Sequence, residues 1–189
     1  TRSDEILNTA AENFGVVSLQ RKVFDRSNVS LIFINKQAVK LNENQINQSQ
    51  YNRNIGLEYN YFSADNLWNS KLMFLKSLSP IKKKQGEVFA SHIEYQSTRW
   101  KWKLQQEYIT GNYSAEVGFI PRNNYIKIQA TVGHLTYTKK NTSLLSHGPS
   151  IERTYYFDTD FNKKDQAEQF DYLFNFKNRS RFSIGIRRQ

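Results

Sequence analysis

The sequence predicts an all-β chain, an antiparallel up-and-down meander of about ten strands that forms a transmembrane β-barrel or a segment of one. Three observations predict it. Apolar and polar side chains alternate singly along most of the chain. The stretches between the alternating runs are short and long by turns. The chain is rich in aromatics, 14%, yet poor in hydrophobic residues overall, 38%. That last combination suits a barrel wall, in which only every second residue has to be apolar.

Only the first residues read differently. Ser3-Asp4-Glu5-Ile6-Leu7-Asn8-Thr9-Ala10-Ala11 carries a cap residue and early acids, so residues 1–12 are expected as a short helix or linker and residues 13–189 as the barrel domain, whole or in part. After Phe14 the two-residue period takes over. In Asn54 to Phe62, Ile55, Leu57, Tyr59 and Tyr61 fall on one face and Asn54, Gly56, Glu58 and Asn60 on the other. In Arg99 to Tyr108, Trp100, Trp102, Leu104 and Tyr108 alternate with Lys101, Lys103, Gln105 and Glu107. In Gln169 to Phe176, Phe170, Tyr172, Phe174 and Phe176 oppose Asp171, Leu173 and Asn175, and in Arg181 to Arg187, Phe182, Ile184 and Ile186 oppose Ser183 and Gly185. Weaker alternation marks Phe14–Val23, Val29–Asn35, Leu67–Lys76, Glu87–Gln96, Tyr125–Tyr137 and Ile151–Phe161. Most of these runs approach the roughly 9–11 residues that a tilted strand needs to cross a bilayer.

The connectors support the same architecture. Those at 24–28, 63–66 and 97–98 are short, while those at 36–53, 77–86 and 110–124 are long. This is the pattern of periplasmic turns and extracellular loops. Thr138 to Ser150 breaks the alternation, being long where a short turn is due. Pro80, Pro121 and Pro149 all read as connector residues, as strands require.

Lys and Arg number 27 against 17 Asp and Glu, a net charge of +10. Such a balance favours anionic partners: lipid headgroups, lipopolysaccharide phosphates or nucleic acid. The tight runs are Lys82–Lys84, Lys139–Lys140, Lys163–Lys164 and Arg187–Arg188. The first three read as polar connectors and make no continuous stripe, which argues against nucleic acid. Without cysteine, neither a disulfide nor a thiolate metal site exists. No run approaches the roughly 18 apolar residues of a transmembrane helix. Residue 1 is Thr, so the chain is read as processed or as cut from something longer.

A backbone in hydrocarbon cannot leave its N–H and C=O groups unpaired, so strands there close into a barrel whose outward face is apolar. On that reading Trp100, Trp102, Leu104, Tyr59 and Phe174 face lipid, and Lys101, Lys103 and Glu107 face a wet lumen. The opposite assignment would put Lys at the bilayer midplane at about 2–4 kcal/mol each. Leu67–Lys76 is apolar on both faces, with Met73 and Leu75 opposing Leu72 and Phe74, as for a strand covered by a plug or a neighbouring domain. The competing architecture is a soluble β-sandwich that binds carbohydrate.

Chemistry-bearing motifs are sparse, and no catalytic, cofactor-binding or metal residue is assigned. His92, His134 and His147 have no ligand spacing. Asp158-Thr159-Asp160-Phe161-Asn162 begins like a calcium loop, but Lys163 stands where Gly is needed and Gln169 where the bidentate Glu should be. Glu58, Glu94, Glu107 and Glu116 are candidate acids for a glycan-active hydrolase, which needs two carboxylates about 5–10 Å apart, and sequence cannot pair them. Phosphate-binding glycine loops, G-x-S-x-G and H-E-x-x-H are absent.

Ala115-Glu116-Val117-Gly118-Phe119-Ile120-Pro121-Arg122 resembles a motif in a large family of Bacteroidota-type surface proteins, in which a family-9-like carbohydrate-binding domain precedes a C-terminal barrel domain of unknown function. Phe14 to Arg21 with Ser27 to Asn35, and Tyr51 to Leu57 through Asp65-Asn66-Leu67, are similar to hairpins of the same domain. The resemblance implies an outer-membrane location, work as a pore, scaffold or anchor, and a link to glycan binding or uptake, with other cell-envelope proteins as partners. It implies Glu116, Gly118, Phe119, Pro121 and Arg122 as structural motif residues. Gly118 and Pro121 mark a sharply turning loop, and Arg122 is expected to pin it to Glu58 or Glu107.

Overall fold

The computed structural model describes residues 10–39, 50–80, 85–118, 120, 122–139 and 142–189, and among them the chain is strand and turn without helix. The strands are β1 Glu12–Val23, β2 Ser27–Ala38, β3 Tyr51–Phe62, β4 Trp68–Leu78, β5 Gly86–Gln96, β6 Trp100–Ile109, β7 Tyr125–His134, β8 Thr136–Tyr137, β9 Leu144–Phe157, β10 Lys163–Phe176 and β11 Arg181–Arg188. The helix or linker expected over residues 1–12 lies outside the described residues, apart from Ala10, Ala11 and Glu12, and Glu12 already opens β1.

All strands belong to one antiparallel sheet in the order β1-β2-β3-β4-β5-β6-β7-β9-β10-β11, with the two-residue β8 paired to β9 alone. Each described strand touches only its hydrogen-bonded neighbours, so no second sheet is stacked on the first. That removes the sandwich, whose core requires two facing sheets. The sheet is open: β1 and β11 are not paired with each other.

Direct cross-strand pairing preserves side-chain parity, so one face runs unbroken through the sheet. Leu19 pairs Leu31, Leu31 pairs Leu57, Leu57 pairs Phe74, Phe74 pairs Phe89 and Phe89 pairs Tyr108. A second row shows the stagger. Tyr61, at the lower end of β3, leads through Ser70, Ile93, Leu104, Ala130, Arg153 and Glu168 to Arg188, at the upper end of β11. Strands displaced stepwise in this way are tilted, the geometry on which barrel closure depends.

The β7–β9 region departs from the sequence reading, and the connector over Thr138 to Ser150 is the expectation it overturns. β7 ends at His134, β8 forms a short hairpin with β9, and β9 begins at Leu144. Pro149 is therefore a strand residue, not a connector residue. It sits beyond the last β7 pair, Gly133 with Ser150, where the β7–β9 ladder is interrupted, and a residue without N–H is tolerated at such a break. The run Ile151–Phe161 likewise stops at Phe157. Phe161 has φ 64 and lies in the following turn. Lys163 and Lys164 open β10 rather than filling a connector, while Lys82–Lys84 and Lys140 lie outside the described residues.

Gly148 explains how the interruption packs. A Cβ there would stand 1.8 Å from the His134 carbonyl oxygen, whereas one on Gly133 would meet nothing closer than 3.6 Å. Gly148→Ala is expected to lower unfolding stability by about 1–3 kcal/mol through forced displacement of the His134–Leu135 backbone. Gly133→Ala should cost clearly less, and denaturant midpoints of the two variants check the difference.

Candidate functional site: the polar face and the segment folded onto it

Side-chain parity assigns Trp100, Trp102, Leu104, Tyr59 and Phe174 to one face, together with Trp68, Leu57, Phe74, Phe89, Phe170 and Ile186. This face is bare. Trp100 is 44% exposed and Trp102 50%, far above what large aromatics tolerate in a packed core. Tyr59 and Phe174 are half-buried among their neighbours. Aromatic rings line the rim that carries the short turns. Trp68 meets Tyr95 at 5.0 Å, Tyr95 meets Trp102 at 5.7 Å and Trp100 meets His134 at 4.4 Å. Farther along the rim Tyr172, Phe174 and Phe182 continue the contact chain.

The opposite face is polar and cross-braced. Glu58 on β3 pairs Lys71 on β4 at 3.0 Å, Glu94 on β5 faces Lys101 and Lys103 on β6 at 3.6 and 4.0 Å, and Glu107 on β6 pairs Lys127 on β7 at 3.4 Å. Lys36 on β2 is shared between Glu12 at 2.7 Å and Glu116 at 2.8 Å. Each of the four glutamates considered as catalytic acids thus has a lysine partner. His92 lies against Asn69 at 3.2 Å, His134 against Trp100, and His147 stacks on Tyr172 and Phe174. Among the described residues no group of three or more His, Asp or Glu is placed to hold a metal ion.

The calcium-like stretch is a self-satisfied turn. The Asp158 carboxylate accepts the Asn162 and Asp160 backbone N–H groups at 2.8 and 3.0 Å and pairs Lys164 at 3.0 Å. The Asn162 N–H, with Lys164, lowers its pKa from 3.8 to about 2. A depressed folded pKa means that the carboxylate stabilises the turn fully above its unfolded value and loses that effect as pH falls towards the folded one. Protection of the Asn162 amide against hydrogen exchange is therefore expected to fall between about pH 4 and 2, and Asp158→Asn should remove that pH dependence.

On the polar face lies the main departure from a plain sheet. The described residues of the segment 110–124, between β6 and β7, fold back over β2 to β6. Thr110 anchors the start, donating its N–H to the Glu87 carbonyl at 3.0 Å and accepting the Glu87 N–H at 2.8 Å. Asn52, fully buried, donates to the Ser114 carbonyl at 3.1 Å and accepts the Glu116 N–H at 3.2 Å. Ser77 accepts the Ser114 N–H at 3.2 Å. Tyr113 is 4% exposed, and its backbone rides so low that a Cβ on Gly86 would come within 2.1 Å of the Tyr113 Cα. Beneath the segment an apolar island of Ile32, Ile34, Met73, Leu75, Val88 and Ile109 interrupts the polar face, opposite Tyr113, Ala115, Val117 and Ile120. This is the cover that two-sided apolarity in β4 called for.

The Glu116–Arg122 motif lies in this segment. Glu116 reaches Lys36 and Gly118 turns back on Ala115, whose carbonyl accepts its N–H at 3.1 Å. Phe119 and Pro121 lie outside the described residues. Arg122 does not reach Glu58 or Glu107, which are held by Lys71 and by Tyr125 and Lys127. It pairs Asp165 on β10 at 3.1 Å and lies over the Tyr125 and Tyr156 rings at 6.0 and 5.6 Å. The pinning roles fall instead to Asn52, Ser77, Thr110 and Gly86. Their only signal in sequence was a small or polar residue at one end of an otherwise apolar run.

Comparison of the chain with models of known families, with curated proteins and with solved structures gives no match.

The geometry ranks two substitutions. Asn52→Ala removes the part-buried bonds to the Ser114 carbonyl and the Glu116 N–H and the buried acceptor of the Asn54 amide, and is expected to cost about 1–3 kcal/mol. Arg122→Ala removes a half-exposed ion pair and should cost about 1 kcal/mol or less. Thermal midpoints order the two, and limited proteolysis within 110–124 should accelerate only for Asn52→Ala.

Proposed function

We propose that this chain is the wall of a bacterial outer-membrane β-barrel, whole or in part, in which residues 110–124 lie on the lumen face and narrow it. The observation that carries this reading is the bare apolar face, which runs across all ten through-strands and backs directly onto a polar, ion-paired face. Water does not sustain so large an exposed apolar surface on a soluble monomer. Hydrocarbon does, provided that the backbone is paired, and the antiparallel ladders pair it everywhere except along the outer edges of β1 and β11. In the membrane those edges join each other or further strands.

Other features agree. The short turns after β1, β3, β5 and β10 leave one rim, together with the β7–β9 connection, and the longer connections after β2, β4 and β6 leave the other, together with the short turn between β9 and β10. The aromatic row lies at the short-turn rim, at the depth of an interfacial girdle. Towards the long-segment rim the lipid-side face turns cationic, with Arg53, Lys76, Arg153, Lys163 and Arg188 against Glu87 and Glu168. That placement suits the phosphates of lipopolysaccharide.

The work of such a wall is passive: a pore, a scaffold, or an anchor for other cell-envelope proteins. The resemblance of residues 115–122 to the Bacteroidota-type barrel domain points towards glycan binding or uptake by the assembly to which it belongs. Within the lumen face, positive and negative charges are interleaved on adjacent strands, so a conduit here discriminates by size and polarity rather than by the sign of an ion's charge.

All three tryptophans, Trp68, Trp100 and Trp102, lie on the apolar face, so intrinsic fluorescence reports that face alone. The chain reconstituted into vesicles with brominated phospholipids is expected to lose most of its tryptophan emission, most strongly with bromines near the headgroup end of the acyl chain. A chain that stays monomeric in buffer without detergent, and whose emission brominated lipid leaves unchanged, would refute the proposal.

A further inference from the structure

The turn between β1 and β2 carries a side chain that its own backbone does not favour. It consists of Phe24, Asp25 and Arg26, closed by the Val23–Ser27 pair. Phe24 has φ 54, in the left-handed region, where bulky residues are outliers. The neighbouring turn between β3 and β4 puts Asn66 at φ 60, a residue type that tolerates this conformation. Phe24 is also 84% exposed, more than any other large apolar side chain among the described residues. Gly or Asn would serve the turn better, and the fold gains no burial from the ring.

The surroundings of the ring are lipid-side surroundings. Arg26 donates from one guanidinium nitrogen to the Ser63 and Ala64 carbonyls at 3.3 and 2.9 Å, which ties the two turns together. The Phe62 N–H reaches Ser27 Oγ at 3.4 Å. Between the turns lies a cleft of about 340 Å³, walled by Phe24, Tyr59, Tyr61 and Phe62 with Arg26 at its side. Tyr59 and Tyr61 belong to the bare apolar face by parity, and Tyr61 and Phe62 are themselves exposed. The patch thus carries the apolar face past the end of β3 and onto the turn.

We propose that the β1–β2 turn is a membrane anchor whose Phe24 ring enters the boundary between headgroups and acyl chains beside Tyr59 and Tyr61. A ring at that depth leaves water, and the gain offsets the backbone conformation in which it is held. Asp25 and Arg26 stay among the headgroups, as charged side chains at a bilayer surface do. The partner is a lipid surface because the patch is continuous with the face that the membrane reading puts in hydrocarbon, and the anchor rests on that reading.

The test moves tryptophan to the turn. Trp68→Phe, Trp100→Phe and Trp102→Phe remove all three tryptophans of the chain, and Phe24→Trp places one at the tip. In vesicles whose lipids are brominated near the headgroup end of the acyl chain, this chain is expected to lose most of its emission. Bromines at mid-chain should quench it less, and iodide in the water should quench it little. A second chain keeps Trp100 alone. Quenching of Trp100 by brominated lipid, with the tryptophan at position 24 quenched by iodide instead, would overturn the anchor and leave the membrane reading standing. Brominated lipid that quenches neither would overturn both. Should the tryptophan variant fail to reconstitute, Phe24→Cys in the otherwise cysteine-free chain takes a nitroxide. Its collisions with oxygen are expected to exceed those with a water-soluble nickel chelate, and the same label on Asn66→Cys should show the reverse. Equal access of the chelate to both labels would overturn the anchor.

Discussion

The two-residue repeat of an extended chain, carried from strand to strand without a slip, is the constraint on which this molecule depends. From β1 to β7 every ladder pairs residues directly opposite, and the irregularities in the β9–β10 ladder sit at the ends of β10, between Lys163 and Asp165 and between Asn175 and Phe176. Parity is therefore conserved across the whole sheet. A shift of one residue in any central strand would send its apolar set to the polar face and its lysines to the other. The two faces differ in character because the register permits only one arrangement in which ten separate alternations agree.

The polar face builds on that agreement. Ion pairs bridge neighbouring strands, Glu107 with the directly opposed Lys127 and Glu58 with the diagonally placed Lys71, and the described residues of 110–124 cover the face where it turns apolar. The segment is held less by its own side chains than by what the sheet offers its backbone. Asn52 and Ser77 supply the hydrogen bonds, and Gly86 supplies the clearance. A loop carried over a sheet in this way keeps its backbone polar groups satisfied away from water, as Ser114 and Glu116 do here through Asn52 and Ser77.

The strands were legible because alternation is a local signal. Trp100, Trp102 and Leu104, or Phe182, Ile184 and Ile186, announce their face within a few residues, and the structure places them on it together. Boundaries failed where local chemistry and the ladder disagreed. Gly148-Pro149 reads as a turn, yet it lies within β9 because the β7–β9 ladder is interrupted there. Phe161 continues an apolar alternation, yet it adopts a positive φ in a turn capped by Asp158. The candidate site was legible only by implication. Apolar residues on both faces of β4 signalled a cover, but which segment supplies it is a long-range fact. The partner of Arg122 was out of reach for the same reason, since Asp165 comes into range only through the β9–β10 hairpin.

The central claim is that successive residues of a strand meet different solvents, oil and water in turn. The chain has no cysteine, so single cysteines placed from 100 to 108 on β6 can carry one nitroxide each after reconstitution into bilayers. Collision rates with molecular oxygen and with a water-soluble nickel chelate then read each position. The account predicts that even-numbered positions favour oxygen and odd-numbered positions favour the chelate, in strict alternation along the strand. Chelate access at both parities, or access of neither reagent to the even-numbered positions, would contradict it.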